Sequence, residues 1–263
     1  MYNPSFRTKR NSVPILSKQE IEDIGEKFVR DFCPEALKVP QAIDVEGFVE
    51  CYLGMTLDYQ YLSNDGRYLG MTVFNDTDKV IIYDPELNQA DYLHADARTV
   101  IIDSSLVEDH SIASQRHRYR YTMGHEGGHD IFHSAYYYYD PMQMNMFDLF
   151  GEERVPMVQC RVNSFTRTTE SGSRQLWTDD DWMEWQANYF SSVLLMPQTA
   201  VRMLAAAYRN KKFSDALIIK GVVDTFDVSM EAATYRCREL GLVKKDLDPH
   251  SVQPILDFAD LVG

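Results

Sequence analysis

The sequence lacks long apolar runs and has few positive charges for its size. Its 263 residues include 26 Lys and Arg against 40 Asp and Glu, which gives a formal net charge of −14. A chain this acidic is a poor non-specific ligand for nucleic acid or an anionic membrane, because both are negatively charged. No apolar stretch approaches the roughly 20 residues of a membrane-spanning helix. With 44% apolar residues, the composition favours a folded protein with no membrane partner.

Cysteine is also scarce. The four cysteines, Cys33, Cys51, Cys160 and Cys237, lie far apart and form no CxxC pair. This spacing is not that of a disulfide framework and indicates free thiols in a reducing compartment. The first residues, MYNPSFRTKRNSVP, are not followed by the apolar core of a secretory signal. We therefore expect a cytoplasmic protein.

The first hundred residues predict two helices followed by a small sheet. Ser17 and Glu20 form a capping box for a helix that ends at Pro34, and a second short helix spans 43–52. Strand-like alternation follows at 55–62, 67–74, 79–84 and 98–103, with a turn at 63–66 between the first two strands and a loop insertion at 84–97. These signals predict a largely antiparallel sheet.

The rest of the chain predicts mostly helix. One helix spans 114–133, another spans 178–195, and two or three short helices follow between 200 and 245. The fold class is therefore α+β. We predict a flexible tail at 1–16, a main domain at 17–200 with an insertion at about 134–177, a small helical segment at 201–245 and a C-terminal tail at 246–263.

The motif that carries chemistry is HExxH, in the context RYTMGHEGGHDIFH. His125 and His129 are four residues apart, so on a helix both imidazoles face the same side and can bind one zinc ion. Glu126 lies about 100° round the helix, where it reaches a zinc-bound water. The alternative is an exposed helix that carries two histidines by chance.

A catalytic zinc site takes three protein ligands, and the best third candidate is Glu184 in WTDDDWMEWQANYFSSVLLMP. Thr178 caps this helix. Asn188 lies one turn after Glu184, where its amide oxygen can accept the N–H of a ligating imidazole and fix its tautomer. The alternative for Glu184 is a solvated helix residue.

RYTMGHEGGHDIFH together with EWQANYFSSVLLMP resembles the ImmA/IrrE family of metallopeptidases, whose pattern is HExxH, then ExxAN, then LLMP. The later stretch FDVSMEAATYRCRELGL is similar to the family's C-terminal segment. The resemblance implies a zincin-like fold, in which a small, mostly antiparallel sheet packs on the HExxH helix and on a second ligand-bearing helix. A C-terminal helical segment follows. One departure is the long segment between the two motifs.

The resemblance also implies a function. The chain would be a metallo-endopeptidase with one zinc ion held by His125, His129 and Glu184, with Glu126 as the general base. Family members act inside bacterial cells and typically cleave a helix-turn-helix repressor, so the expected partner is a protein substrate such as a transcriptional repressor. Two alternatives remain: a catalytically silent zincin-like regulator that binds a protein or DNA, and a protease of a toxin–antitoxin or phage-defence system.

Two further features have open interpretations. The segment 202–245 is locally basic, and FDVSMEAATYRCREL fits either a helix-turn-helix with Ser229 as N-cap or a small bundle packed on the main domain. We favour the bundle and do not expect direct DNA binding. Peptide hydrolysis also needs a hydrogen-bond donor to the oxyanion of the tetrahedral intermediate. The sequence does not identify this donor; the candidates are the tyrosines at 136–139, His133 and His250. An edge strand of the sheet offers a place for an extended substrate.

Overall fold

A computed structural model describes residues 2–109, 111–138, 157–161 and 177–244. The architecture is mixed α+β, as expected of a zincin-like fold. It is layered: the main sheet packs on the long HExxH helix, that helix packs on the Glu184 helix, and the latter packs on the first helix of the chain.

The N-terminal helix α1 (Lys18–Phe32) begins as predicted. The Ser17 side chain accepts from the Glu20 N–H, and the Glu20 carboxylate accepts in return from the backbone N–H of Ser17. A short α-helical turn, α2 (Val45–Gly47), continues as π-helix over Phe48–Tyr52. Residues 2–16, predicted as a flexible tail, pack against the domain, with Val13 fully buried. The division of the chain into domains stays a prediction.

The main sheet contains β1 (Thr56–Gln60), β2 (Tyr68–Val73), β5 (Thr99–Asp103) and β6 (Met157–Arg161), in the order β1-β5-β2-β6. The β1–β5 pair is parallel, and β2 is antiparallel to both of its neighbours. The turn at 63–66 therefore joins two strands that are not paired, because β5 lies between them. Strand β5 is buried on both faces, with Val100 and Ile102 on one side and Ile101 on the other.

The loop insertion predicted at 84–97 is wrong. Strands β3 (Thr77–Asp84) and β4 (Gln89–Ala95) form a separate antiparallel hairpin. Val80 and Ala95 bury one face of this hairpin in a small core with Met71 of the main sheet. The β4 sequence QADYLHA does not show the alternation of apolar and polar residues that predicts a strand, because most of its side chains are exposed and only part of it contributes to a core.

Five helices, α3 to α7, follow the first five strands in the described part of the chain. Helix α3 (Ala113–Tyr137) extends one turn beyond the predicted end, and α4 (Asp179–Leu195) starts at the predicted N-cap Thr178. Helices α5 (Gln198–Asn210), α6 (Asp215–Phe226) and α7 (Met230–Glu239) follow, and Ser229 caps α7 as predicted.

The helices α5 to α7 share the main apolar core with α1, α3 and α4. The centre of α7 is tied to α1 by an ion pair in which the Arg236 guanidinium donates to both oxygens of Glu22. Arg236 is 1% exposed and Glu22 is 4% exposed. This arginine therefore does not belong to a surface that could meet DNA. Such packing is what the bundle interpretation of this segment expects.

The turn between α6 and α7 is tied to the HExxH helix by Asp227. This residue adopts a left-handed conformation (φ 52°), and its carboxylate accepts from Arg116 Nε at 2.9 Å and from Arg116 Nη2 at 2.8 Å. These hydrogen bonds with Arg116 hold the pKa of Asp227 below its usual value, against the opposing effect of burial.

We expect Asp227→Asn to destabilise the fold by about 1 kcal/mol at pH 7, which is less than the usual value for hydrogen bonds to charged groups because water reaches this side chain. Asn also tolerates the left-handed conformation, so the backbone is not strained, and the variant loses the charge and one of the two oxygens that accept from Arg116. Because the folded pKa is lowered, the contribution is present above about pH 4 and disappears as the pH falls through that lowered value. Urea unfolding of both proteins at pH 7 and at pH 2.5 measures the difference in their free energies of unfolding. An equal difference at the two pH values would contradict this prediction.

No single helix in the described part of the chain is long and apolar enough to cross a membrane. Only α4 and α5 taken together, bent by 50° where they meet, have the length and composition of a span.

Candidate metal centre

Helices α3 and α4 bring three predicted ligands to one point. His125 Nε2 and His129 Nε2 lie 3.0 Å apart. Glu184 reaches across from α4, with its Oε1 3.3 Å from His129 Nε2 and its Oε2 3.6 Å from His125 Nε2. One ligand atom from each residue lies within 4.8 Å of the others. Residues separated by a long stretch of sequence therefore form one cluster.

The close approach of the two helices depends on glycine. A side chain at Gly128, inside the HExxH motif, would place its Cβ 3.2 Å from Ala187 Cα and 3.2 Å from Phe190 Cδ1 on α4. Gly124 faces α4 in the same way, opposite Ser191. A larger residue at Gly128 would push against backbone, which has little room to give, so it would separate the ligands on the two helices.

Burial keeps the two histidines neutral. His125 and His129 are both fully buried. Desolvation lowers the pKa of each imidazole to about 3, and for His125 the neighbouring His129 adds to this effect. A neutral imidazole is the form that binds a metal, so both side chains are ready for coordination at neutral pH.

Asn188 fixes the orientation of the first histidine. Its side-chain oxygen lies 2.9 Å from His125 Nδ1. An amide oxygen only accepts hydrogen bonds, so Nδ1 of the neutral ring must carry the proton, and Nε2 is left with the lone pair. This Nε2 is the atom that faces His129 and Glu184.

The three donors fit a small divalent cation. Zinc bound tetrahedrally at about 2.0–2.1 Å requires its ligand atoms to lie about 3.3 Å from one another. The two Nε2 atoms lie 3.0 Å apart, and the distances of 3.3 and 3.6 Å to the Glu184 carboxylate, each to a different oxygen, are close to that value. Two neutral imidazoles and one carboxylate are also the donor set of many hydrolytic zinc enzymes. The residues present therefore fit a resident metal.

Glu126 is not one of the clustered donors, and its carboxylate lies against strand β2. Its Oε2 accepts a hydrogen bond of 2.6 Å from the Thr72 hydroxyl, and within the described residues its Oε1 is buried with no hydrogen-bond partner. Gly70 on the same strand leaves the room for this carboxylate, because a Cβ there would lie 2.7 Å from Glu126 Oε1. One oxygen of Glu126 is thus held by Thr72, while the other has no hydrogen-bond partner among the described residues.

Burial raises the pKa of the Glu126 carboxyl well above its usual range. The hydrogen bond from Thr72 opposes this rise, and the negative charge of Glu184 adds to it. A carboxylate with a raised pKa is a stronger base than an exposed one, which suits a group that must take up a proton near neutral pH.

The oxyanion-donor candidates have different positions. His133 is fully buried between His129 and Gln186, and both of its ring nitrogens are taken up there. Tyr137 ends α3 and stacks on Phe74 with a ring separation of 4.8 Å. Tyr139 and His250 lie outside the described residues. The donor to the oxyanion therefore stays unassigned.

Sequence reasoning missed Thr72 and Gly70 as neighbours of the base. It also missed the contact of His133 with the ligand His129 and the contact of Gln186 with His133. For His133 a signal was present, because it continues the spacing of four residues from His125 and His129 along one face of α3. For Thr72 and Gly70 the chain carries no local signal, since their role depends on how the sheet packs on α3.

Comparison with known protein families supports the interpretation of α4 and the helices after it. The family model described as Peptidase_M78, IrrE N-terminal-like domain, matches residues 170–238. The matched range contains Glu184 and Asn188, whereas the HExxH motif lies before it. No curated protein matches the chain. The match to a peptidase family over α4 to α7 confirms that this chain resembles the ImmA/IrrE metallopeptidases.

Proposed function

We propose that the protein is a zinc-dependent endopeptidase, with one zinc ion per chain held by His125, His129 and Glu184. The observation that carries this proposal is the cluster of His125 Nε2, His129 Nε2 and the Glu184 carboxylate, in which the two imidazole nitrogens lie 3.0 Å apart and each lies within 3.6 Å of a carboxylate oxygen. The peptidase-family match over the helix that contains Glu184 gives independent support.

Bound zinc would polarise the scissile carbonyl and lower the pKa of a water molecule. Glu126 is the general base: its free Oε1 takes the proton of the attacking water, and the same carboxyl returns that proton to the leaving amine. Thr72 holds the other oxygen, which limits the rotation of the carboxylate. The Asn188 side chain keeps the His125 Nε2 lone pair directed at the metal.

The substrate that we propose is a bacterial regulatory protein, such as a helix-turn-helix repressor, cleaved in the cytoplasm. This part of the proposal rests on the resemblance to ImmA/IrrE proteins rather than on the geometry of the site. The alternatives, a silent regulator and a protease of a toxin–antitoxin or phage-defence system, predict different results in the experiment below.

The test is the zinc content of the purified protein, measured by mass spectrometry for the natural sequence and for Glu184→Ala. We expect about one zinc per chain, and a clear loss in the variant because two histidines alone leave the site incomplete. Glu231→Ala, which removes an exposed carboxylate on α7, is the matched control and should keep the metal.

Absence of zinc from the natural protein, even after zinc is supplied, would overturn the proposal. Zinc bound with no cleavage of any candidate repressor would favour the silent regulator. Cleavage that starts only when a specific partner is removed would favour the toxin–antitoxin or phage-defence system.

A further inference from the structure

We propose that His133 and Gln186 are positioning residues that fix the tautomer of the ligand His129 through a chain of hydrogen bonds starting at the Pro14 carbonyl. This inference rests on the proposed zinc site. It concerns two residues outside the ligand set, and it connects the N-terminal segment to the metal centre.

The side-chain amide of Gln186 is oriented by the Pro14 carbonyl. Its Nε2 lies 3.0 Å from the backbone oxygen of Pro14, which can only accept, so the NH2 end must face Pro14. The amide oxygen then faces the other way and lies 3.0 Å from His133 Nε2. Flipping the amide would set two oxygens against each other, so the network has one consistent orientation.

His133 transmits this orientation. Because the oxygen of Gln186 accepts, His133 Nε2 must carry a proton. His133 is fully buried, and burial disfavours the charged form of an imidazole, so the ring is neutral. A neutral imidazole with its proton on Nε2 has a lone pair on Nδ1, which makes His133 Nδ1 an acceptor.

His129 is the donor to His133 Nδ1. Its Nδ1 lies 2.9 Å from His133 Nδ1 and must therefore donate. The Nε2 of the neutral His129 ring then carries a lone pair, and it faces His125 Nε2 and Glu184. Since Asn188 imposes the same tautomer on His125, two lone pairs meet at 3.0 Å, an arrangement that a shared cation relieves.

A purely structural role is the competing explanation, because buried polar side chains need partners whatever the site does. The two explanations differ for His133→Asn. The Asn Oδ1 takes the place of His Nδ1 and still accepts from His129, while the hydrogen bond to Gln186 is lost. A positioning role therefore predicts that Asn preserves metal binding. A structural role predicts that it fails as His133→Phe does.

The experiment measures zinc affinity by competition with a chromophoric chelator for the natural protein, His133→Phe, His133→Asn and Gln186→Met. We expect His133→Phe to weaken zinc binding by about 10–100-fold, the range for partners of metal ligands, and His133→Asn to stay within about threefold of the natural protein. Gln186→Met should have an intermediate effect. Unfolding of the metal-free proteins shows which variants fold.

Equal zinc affinity in the natural protein and in His133→Phe would overturn the inference while leaving the zinc site intact. Equal losses in His133→Phe and His133→Asn would also overturn it, in favour of the structural role. If His133→Phe does not fold, unchanged affinity in Gln186→Met would count against it in the same way. A natural protein that binds no zinc would instead contradict the proposed function itself.

Discussion

Glu126→Gln is expected to lower the rate of peptide-bond cleavage by about 10²–10⁴-fold while zinc stays bound. Gln has the shape of Glu and can accept the Thr72 hydrogen bond, but it cannot take a proton from water. The three metal ligands are untouched, because Glu126 is not one of the clustered donors and one of its oxygens is held by Thr72 of strand β2. The measurement is the initial cleavage rate of a candidate repressor, with the zinc content of the same sample.

The control for this variant is Glu231→Gln, which neutralises an exposed carboxylate on α7 and should cleave at the natural rate. Full activity of Glu126→Gln would refute the assigned base. Loss of zinc along with activity would instead mean that Glu126 supports the metal site, and that the separation between base and ligands is wrong.

Arg236→Met is expected to reduce the free energy of unfolding by about 3–5 kcal/mol, the usual cost of removing one partner of a buried ion pair. The substitution leaves the Glu22 carboxylate buried between α1, α4 and α7, where the Tyr189 hydroxyl is the one remaining donor among the described residues, at 2.8 Å. Urea unfolding at neutral pH measures the change. Arg238→Met on the same helix, where the guanidinium lies over the Tyr235 ring, should cost about 1 kcal/mol or less.

A second substitution distinguishes the loss of the Arg236–Glu22 hydrogen bonds from the cost of burying an unpaired Glu22 carboxylate. Adding Glu22→Gln to Arg236→Met removes the uncompensated carboxylate and should recover part of the stability, since neutral groups are less costly to bury. If the double variant is less stable than Arg236→Met alone, the buried charge is not the source of the loss, and packing of the arginine stem becomes the explanation.

The sequence predicted correctly those structural features that depend on residues close together in the chain. The capping residues Ser17, Thr178 and Ser229 fix the starts of α1, α4 and α7, because each side chain accepts a hydrogen bond from the backbone N–H three residues further along the chain. The pair His125 and His129 faces one side of α3 for the same local reason, the helical repeat. These elements were predicted from spacing alone.

The sequence was a poor guide where the determinants are distant. The parallel pairing of β1 with β5 depends on a crossover that no turn signal encodes, and β4 has too few buried side chains to show alternation. The contacts of Thr72 with Glu126 and of Gln186 with Pro14 join parts of the chain more than fifty residues apart. Such contacts become visible only when the packing of sheet, α3 and α4 is known.

Strand β2, which holds the proposed base through Thr72, has paired neighbours on both sides, β5 and β6. Among the described strands, the outer edges of the main sheet are β1 and β6. A peptide that extends this sheet near Glu126 must therefore form its backbone hydrogen bonds with β6, which comes from the segment between the two ligand-bearing helices. The sequence of that segment, rather than the sequence of the metal-binding helices, would then determine which peptides bind.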